Sequence, residues 1–276
     1  MSGGGRLVVC PTPIGNLEDV TLRVLSALRE ADVVACEDTR RTRTLLDRYG
    51  VSASLVSYHE HNEERRAAEL VERMQSGDTV ALVSDAGMPL VSDPGYVLVR
   101  ACVAAGLAVE VLPGPSAAMA ALVASALPAD RWRFVGFLPR KKGELRKVLA
   151  EPGGTVVAFE SPRRVPATLT LLAEVDPDRQ VALCRELTKV HEEVVRGSAS
   201  ELAERYADGP PKGEVVLVLG PSGSAAHGGA DAGGAIAGLA QVRRLVEAGA
   251  KPRVAASAVA ELTGGSANAL YAALTE

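Results

Sequence analysis

The sequence predicts an α/β fold with two domains, and three observations support this prediction. The chain has 276 residues, which is too many for one small core and enough for two domains. Its residues are 47% hydrophobic but only 3% aromatic, as expected for layers packed with aliphatic side chains. Short apolar runs alternate with amphipathic segments in the first half. Right-handed connections between such strands produce a mostly parallel sheet that is covered on both faces.

The first predicted domain covers residues 1–127 and contains five strands. Each strand is a short apolar run, and the five runs lie at 6–10, 32–36, 53–57, 80–83 and 108–112. Apolar residues at helical spacing follow each run, and they predict helices at 17–30, around 45–50, at 63–75, at 96–105 and ending near 126. Asn62 is expected to cap the third helix.

The second predicted domain covers residues 128–221, and residues 128–133 are expected to be a linker. Fewer helical patterns occur here, and strands at 155–159, 181–184 and 215–219 predict a mixed sheet. Residues 222–238 are rich in Gly, Ala and Ser, which is typical of a flexible linker. Residues 239–276 form a small helical tail, which is either a helix–turn–helix pair around Gly264-Gly265 or a packing appendage.

One loop indicates a ligand site. After the apolar run at 80–83, the segment 84–95 reads SDAGMPLVSDPG and is crowded with turn formers. Such a loop holds its backbone in one shape and admits a ligand closely, and ligands bind past the carboxyl ends of strands in open α/β sheets. The alternative is an ordinary strand-to-helix connection.

Several classes of function are disfavoured by composition and motifs. The formal net charge of −4 makes no global case for nucleic acid or membrane. None of the four cysteines lies in a CxxC pair, and the three in apolar surroundings are interpreted as buried side chains in a reducing compartment. His59 and His61 are interpreted as surface polar groups, so no metal site is predicted. GxGxxG, GxxxxGK[ST] and GxSxG motifs are missing. Without a signal peptide or membrane-length apolar run, the protein is expected to be cytoplasmic.

Six segments at strand ends resemble the tetrapyrrole methylase superfamily. They are PTPIGNLED at 11–19, CEDTR at 36–40, SDAGMPLVSDPG at 84–95, PGPSA at 113–117, FESPRR at 159–164 and GE at 213–214. PGPSA alone would fit the whole superfamily. The combination of GNLED, EDTR, SDAGMPLVSDPG and ESPRR is most similar to the members that 2′-O-methylate a cytidine of small-subunit (16S) ribosomal RNA. The resemblance covers residues 7–220.

The resemblance implies two αβα domains of the tetrapyrrole methylase type, a homodimer, and S-adenosylmethionine bound in the cleft between the domains. Small-subunit RNA, or the assembled small ribosomal subunit, would be the partner, and no membrane would be involved. Carried over by position, the cofactor-binding residues would be Pro13, Asp85, Ala86, Gly87, Met88, Ser116, Ala117, Phe159, Leu187, Gly213 and Glu214.

Charged residues at strand ends are candidates for catalysis and RNA binding. A ribose hydroxyl is a poor nucleophile that benefits from a base or a charged partner, and the candidates are Glu37, Asp38, Glu160, Glu186 and Lys189. Each could instead form a structural salt bridge. The cations that could neutralise RNA phosphates are Arg40, Arg41, Arg140, Lys141, Lys142, Arg163 and Arg164. The alternative for residues 140–147 is a solvated helix face. Few aromatic residues lie near these cations, which argues against base stacking as the main mode of recognition.

Two other functions stay open at this point. The first is a methyltransferase that acts on a tetrapyrrole or another small acceptor, which would favour an apolar cleft mouth without a basic rim. The second is a ribosome-associated RNA-binding module without enzymatic activity, which would use the basic run and the helical tail. Methyl transfer from labelled cofactor distinguishes an enzyme from the binding module, and a comparison of acceptors separates the two enzymes.

Overall fold

The structure, a computed structural model, describes residues 5–222, 233–263 and 267–275. Its first sheet consists of β1 (Arg6–Val9), β2 (Val33–Cys36), β3 (Leu55–Ser57), β4 (Thr79–Val83) and β5 (Ala108–Val111). All neighbours pair in parallel, in the order β3-β2-β4-β1-β5. The central strand β4 is therefore flanked by β2 and β1, which places the loop after β4 in the middle of the carboxyl edge.

Five helices follow the strands of the first sheet: α1 (Leu22–Glu30), α2 (Thr39–Arg48), α3 (Glu63–Gln75), α4 (Tyr96–Ala104) and α5 (Ala117–Ser125). Side chains of α1 and α2 share one core with one face of the sheet. Side chains of α3 and α4 share a second core with the other face. The predicted parallel sheet with helices on both faces is confirmed.

Two details of the first half differ from the sequence prediction, and side-chain hydrogen bonds explain both. The predicted helix 17–30 is divided into a 3-10 turn, Leu17–Asp19, and α1, because the Thr21 hydroxyl accepts a hydrogen bond from the Val24 N–H at 3.1 Å and starts a new helix. Asn62 precedes α3 but does not cap it. Its side-chain oxygen accepts from the His59 N–H at 2.9 Å instead.

The second sheet is mixed, as predicted. Its strands are β6 (Trp132–Phe137), β7 (Thr155–Glu160), β8 (Gln180–Arg185), β9 (Glu193–Ser198) and β10 (Val215–Leu219), in the order β6-β7-β10-β8-β9. Only β6 and β7 are parallel. The associated helices are α6 (Lys142–Ala150), α7 (Val165–Val175) and α8 (Ala199–Arg205).

The predicted linker 128–133 is wrong at its end, because β6 begins inside it. Trp132 pairs with Thr155 of β7, and Arg133 pairs with Val156. The Thr155 hydroxyl also donates to the Pro128 carbonyl at 2.5 Å. Pairing with β7 therefore extends ordered structure into a segment whose Pro and charged residues suggested a linker.

Helix α5 joins the two halves of the chain. Although α5 follows β5 of the first sheet, its residues Ala121 and Leu122 pack in one core with Val157, Ala182 and Val218 of the second sheet. The boundary at residue 127 stays a prediction, but the helix just before it contributes to the core of the second sheet.

The tail contains helices α9 (Gly233–Glu247), α10 (Pro252–Thr263) and α11 (Ala267–Thr275), which pack together around Val242, Val259 and Leu270. The predicted linker 222–238 needs correction at both ends. Ser222 is buried and bridges to Gly153, and α9 already begins at Gly233. Residues 223–232 and the Gly264-Gly265 pair lie outside the described residues.

All four cysteines are buried free thiols. Burial raises the pKa of Cys10 to about 12 and the pKa of Cys102 and Cys184 to about 11, so these groups stay protonated and behave as small apolar side chains. In the described part of the chain, no helix combines the length and apolarity needed to cross a membrane.

Candidate active site

A cavity of about 510 Å³ lies between the two sheets, a size within the usual range for small-molecule sites. From the first half it is lined by residues following β2 and β4 and by the start of α5. From the second half it is lined by the end of β7, by Leu187 after β8 and by the start of β10. The loop 84–95, which the sequence singled out, therefore forms part of the cavity wall.

Gly87 holds this loop against the loop after β1. The Thr12 N–H donates to the Gly87 carbonyl, and the Gly87 N–H donates to the Thr12 carbonyl, both at 2.9 Å. Gly87 has φ +79°, and a Cβ there would lie 3.4 Å from Ile14 Cγ2 and 3.7 Å from the Pro115 carbonyl oxygen. The absence of a side chain thus provides both the backbone conformation and the space beside the cavity.

The second part of the loop contains strained backbone. Leu90 and Ser92 have φ of +72° and +66°, values that non-glycine residues seldom adopt. Gly95 has φ +138°, and a Cβ there would lie 2.8 Å from Leu90 Cδ1. Positive φ at bulky residues costs free energy and clusters at functional sites. Here it surrounds Asp93, which lines the cavity.

Of the acidic residues that line the cavity, Glu37, Asp85 and Asp93 come from the first half of the chain, and Glu160 and Glu214 come from the second. Asp85 is engaged, because its Oδ1 accepts from the Asp38 N–H at 3.0 Å and its Oδ2 lies 3.5 Å from Arg41 Nε. Burial and the nearby Glu37 raise the pKa of Asp93 to about 6. Burial and Asp85 likewise raise the pKa of Glu37. The Glu37 and Asp93 carboxyls are therefore the groups of this wall best suited to exchange a proton near neutral pH.

Asp38, a candidate catalytic residue, instead starts helix α2. Its Oδ1 accepts from the Arg40 N–H at 2.9 Å, and its Oδ2 accepts from Arg40 Nη2 at 2.7 Å. The hydrogen bonds from Arg40 lower the pKa of Asp38 to about 2. Asp38 does not line the cavity, and this geometry favours the structural alternative for both Asp38 and Arg40.

Lys189 and Glu186 form a salt-bridge cluster next to the cavity. Lys189 Nζ lies 2.9 Å from Glu186 Oε1 and 3.0 Å from Glu214 Oε2. Burial opposes the charge of Lys189, but the hydrogen bonds that it donates to both carboxylates raise its pKa, and the bond from Lys189 lowers the pKa of Glu186. The Glu214 N–H also donates to Glu186 Oε1 at 2.9 Å. A Cβ on Gly213 would lie 2.3 Å from Glu186 Cγ, so the cluster requires glycine there.

The side chain of Glu160 is fully buried and fully bonded. Its Oε1 accepts from the Ser161 N–H and its Oε2 from the Thr168 hydroxyl, both at 2.7 Å. Arg164 lies 3.4 Å from Oε2 and donates to the Leu138 carbonyl at 3.0 Å. This arrangement favours a structural role for Glu160 and Arg164 over the catalytic and RNA-binding roles expected of them.

The expected cofactor-binding residues lie together on the cavity wall, except for Pro13. Pro13 is buried outside the wall, and its neighbour Ile14 takes that place. Ser116 caps α5, since its hydroxyl accepts from the Met119 N–H at 3.5 Å, and Ala117 is the first residue of that helix. The positive end of α5 therefore faces the cavity.

The expected RNA-binding cations are spread over a wider surface. Arg140, Lys141 and Lys142 are exposed at the start of α6, and Arg163 is exposed after β7. Lys141 lies 3.4 Å from Glu144. Arg41 is the cation among the candidates that also lines the cavity.

Sequence reasoning missed part of the wall: Ile14, Val91, Ser92, Asp93, Phe137, Ser161, Pro162, Cys184, Val215 and Val216. Asp93 stood in the recognised loop, and the signal available was its position among turn formers. Phe137 gave no such signal, because the residues between it and Arg140 are Leu138 and Pro139, which are both apolar. In the ranges 5–222, 233–263 and 267–275, no group of three or more His, Cys, Asp or Glu side chains is placed to hold a metal ion.

Comparisons with known proteins identify the family. The family model described as Tetrapyrrole (Corrin/Porphyrin) Methylases matches residues 6–203. A protein of Mesorhizobium japonicum named ribosomal RNA small subunit methyltransferase I is 46% identical, over 98% of this chain and 91% of the relative. A protein of the same name from Thermotoga maritima is 45% identical, over 78% of this chain and 98% of the relative.

Solved structures show the same architecture. Uroporphyrin-III C-methyltransferase from Thermus thermophilus has a TM-score of 0.56 at 25% identity, covering 79% of this chain and 94% of its own. A structure of that enzyme complexed with S-adenyl homocysteine has a TM-score of 0.56 at 23% identity, covering 78% of this chain and 97% of its own. Taken with the two-sheet fold and the cavity at the strand ends, these matches show that the chain belongs to the tetrapyrrole methylase family.

Proposed function

We propose that this protein is an S-adenosylmethionine-dependent methyltransferase that methylates the ribose 2′-oxygen of a cytidine in 16S ribosomal RNA of the small subunit. The observation that carries the proposal is the 46% identity, over 98% of this chain, to a relative named ribosomal RNA small subunit methyltransferase I. The choice of a cytidine ribose is supported by the GNLED, EDTR, SDAGMPLVSDPG and ESPRR motifs.

The residues of the cavity fit the cofactor. S-adenosylmethionine, when bound, supplies the methyl group. Its adenosine is neutral and needs no phosphate-binding loop. Backbone groups at 85–88 and 213–214, with Ser116 and Ala117, would hold it, and Gly87 leaves room for close approach. The carboxylates of the wall tolerate its positive charge.

Two tasks fall to the protein in this reaction. An in-line displacement depends on the alignment of the acceptor oxygen, which the walls of the cavity impose. The acceptor hydroxyl must also lose its proton as its oxygen gains the methyl group. Of the expected catalytic residues, Glu37 faces the cavity with a carboxyl that carries no cation partner among the described residues, and Asp93 lies beside it. We assign proton removal to this pair.

The RNA would lie across the exposed cations beside the cavity. Arg140, Lys142 and Arg163 are exposed and have no carboxylate partner within the described ranges. Because the whole chain has a net charge of −4, attraction to RNA would be local and sensitive to salt. Exposed cations without carboxylate partners favour RNA over a tetrapyrrole as the acceptor.

Labelled cofactor tests the proposal directly. The purified protein is incubated with labelled S-adenosylmethionine and, separately, with small ribosomal subunits, protein-free 16S RNA and a tetrapyrrole. Label is expected in RNA, and nuclease digestion with mass analysis should place it on a cytidine ribose, since a ribose methyl blocks cleavage at that linkage. Label in the tetrapyrrole alone would replace the acceptor. Transfer to none of them, with RNA still bound, would favour the binding module.

We also propose that the enzyme is a cytoplasmic homodimer. Met119 and Val123 lie four residues apart on α5 and are 47% and 78% exposed, so one face of this helix presents an apolar stripe next to the cavity. Light scattering at micromolar concentration should give twice the mass of the chain, and Val123→Glu should give the single mass. A single mass for the unaltered protein contradicts the dimer. The cytoplasm is where the RNA substrate would be met.

A further inference from the structure

Phe137 is an aromatic side chain that the protein leaves uncovered at the cavity. Its side chain is 63% exposed, although it belongs to a strand and lines the cavity wall. The ring contacts Phe159 edge to face, with ring centroids 5.5 Å apart, and Phe159 contacts Phe134 in the same way at 4.9 Å. Phe159 thus packs against the ring of Phe137, and Phe134 packs against Phe159. The rest of the Phe137 ring is exposed and can contact a ligand.

A β-bulge produces this exposure. Phe134 pairs with Val157 and Phe137 pairs with Phe159, so β6 has one extra residue between the two pairs. Gly136 absorbs the bulge with φ +66°. Bulges redirect side chains at strand edges and next to active sites. After the bulge, the Leu138 N–H donates to the Phe159 carbonyl at 3.1 Å, which fixes Phe137 on its partner strand.

Arg164 holds the chain just after Phe137. Its guanidinium donates to the carbonyl oxygens of Leu138 at 3.0 Å and Pro139 at 2.6 Å. Arg164 is held in turn by the buried carboxylate of Glu160, 3.4 Å away. The ESPRR segment thereby fixes the backbone at residues 138–139, directly after Phe137.

The surroundings of Phe137 match a nucleotide. The cations Arg140, Lys141 and Lys142 begin three residues after Phe137. They are exposed, and cations of this kind attract phosphates. On the other side, Gly136 approaches the loop 84–95, because a Cβ on Gly136 would lie 3.4 Å from Ser92 Oγ. Asp93 follows Ser92 directly. An aromatic ring and a carboxyl therefore both line the cavity, and a run of exposed cations follows the aromatic residue along the chain.

We propose that Phe137 is the platform on which the base of the acceptor nucleotide stacks, with Arg164 as its positioning residue. This inference rests on the proposed function, since it identifies where the substrate RNA places its target nucleotide. The base would lie on the Phe137 ring while its ribose reaches toward Asp93. Every base presents a π-face to an aromatic side chain, so the contact holds the nucleotide without selecting its identity.

Kinetics with the ring removed or retained test the platform. Phe137→Leu keeps an apolar side chain but loses the ring, and Phe137→Tyr keeps the ring. Small ribosomal subunits and protein-free 16S RNA are offered to the unaltered protein first, and the acceptor that it methylates is used throughout. Phe137→Leu should raise KM for that acceptor about 5- to 150-fold. Phe137→Tyr should stay within about threefold of the unaltered protein, and the Kd for S-adenosylmethionine should be unchanged in both.

Fluorescence detects the stacking itself. Trp132 is the one tryptophan of the chain, so Phe137→Trp in a Trp132→Phe background places a single reporter at the platform. Adding the acceptor should quench this tryptophan, measured as a difference from the Trp132→Phe parent. Adding Arg164→Lys should weaken the quenching and raise KM for the acceptor, while thermal melting checks that the variant is folded.

The outcomes separate this inference from the proposed function. If the unaltered protein methylates RNA and Phe137→Leu matches it in KM, the platform is wrong and the proposed function stands. A loss of cofactor affinity in folded Phe137→Leu would also overturn the platform, since the ring would then belong to the cofactor site. If the unaltered protein methylates none of the RNA acceptors, the proposed function fails and the platform fails with it.

Discussion

At the scale of single residues, the pair Glu37 and Asp93 links the geometry of the cavity to its chemistry. Burial and Glu37 raise the pKa of Asp93, and burial and Asp85 raise the pKa of Glu37. A hydrogen bond with the Ser84 side chain lowers the pKa of Asp93, and the charge of Asp85 raises it. Arg41 lowers the pKa of Glu37 without cancelling the effect of burial. The result is a base poised close to neutral pH.

Asp93→Asn should therefore separate activity from stability. We expect kcat to fall about 10²- to 10⁴-fold, because the acceptor loses its base, while the Kd for S-adenosylmethionine stays unchanged. In the unaltered protein, kcat should rise with pH up to about 6, where Asp93 ionises, and level off above it. A variant that keeps this rise would show that another group is the base.

The same substitution should stabilise the fold at neutral pH. The pKa of Asp93 is raised in the folded protein, from 3.8 to about 6. Protonated Asp93 therefore favours folding below about pH 4, and this stabilisation is lost as the pH rises through about 6. Asp93→Asn should gain on the order of 1–3 kcal/mol in the free energy of unfolding at pH 8 and little at pH 4. Denaturant unfolding at the two pH values measures the difference.

Gly87→Val should remove cofactor binding. A valine would have to adopt φ +79°, and its side chain would press on Ile14 Cγ2 and extend beside the cavity. We expect the calorimetric signal for S-adenosylmethionine to vanish, with a loss of about 1–2 kcal/mol in stability from the backbone strain. Gly143→Ala is the matched control, because a Cβ on Gly143 meets nothing within 4 Å. Unchanged affinity in Gly87→Val would place the cofactor elsewhere.

At the scale of elements, short polar side chains decide where helices begin. Thr21 starts α1, Ser116 starts α5 and Ser198 starts α8. In each case the side-chain hydroxyl accepts a hydrogen bond from a backbone N–H of the first turn. At Ser198 the interaction is reciprocal, because Glu201 Oε2 accepts from the Ser198 N–H at 2.7 Å. Such capping boxes satisfy two backbone groups that the helix leaves without partners.

Ser198→Ala should lower the free energy of unfolding by about 1 kcal/mol, since the helix loses its cap. The pKa of Glu201 is lowered by the bonds from Ser198, so part of the loss should disappear in acid. Ser200→Ala serves as the control, because Ser200 is exposed on the same helix. Thermal melts of both variants measure the effect, and S-adenosylmethionine affinity should not change in either. Equal melting temperatures would show that the cap contributes nothing.

At the scale of the whole molecule, the cavity lies between two halves of the chain that contact each other through α5 and through the loop after β1. Helix α5 leaves the first sheet and packs on the second. The loop after β1 also contacts the loop after β8, where the Asn16 N–H donates to Thr188 Oγ1 at 3.0 Å. Thr188 holds φ +66° at this contact. Leu187, next to it, lines the cavity, so the contact positions part of the wall.

Gly15→Ala should disturb this contact. A Cβ on Gly15 would lie 2.5 Å from Lys189 Cγ and 3.0 Å from the Leu187 carbonyl oxygen, so the loop after β8 must move. We expect weaker S-adenosylmethionine binding together with a loss of about 1–3 kcal/mol in stability, as found for overpacked sites. Gly209→Ala, where a Cβ meets nothing within 4 Å, is the control. Calorimetry and denaturant unfolding give the two quantities, and normal affinity would show that this contact does not shape the cavity.

The sequence by itself determined the architecture and predicted the loop that forms part of the cavity wall. Apolar runs such as 80–83 predict buried parallel strands because a strand covered on both faces has no polar side. Gly87 and the turn formers around it predicted a ligand loop, because glycine and proline restrict or release the backbone locally. Both properties depend only on residues that are neighbours in the sequence.

Only the tertiary structure decided which charged residues of the cavity wall are already bonded. Glu160 and Asp93 both line the cavity, yet Glu160 accepts hydrogen bonds from Thr168 and Ser161, while burial and the nearby Glu37 raise the pKa of Asp93. Phe137 is exposed by a bulge whose register depends on pairing with β7. Lys189 donates a hydrogen bond to Glu214, which lies 25 residues away in the chain. Such contacts join distant segments, so their partners cannot be read from spacing along the chain.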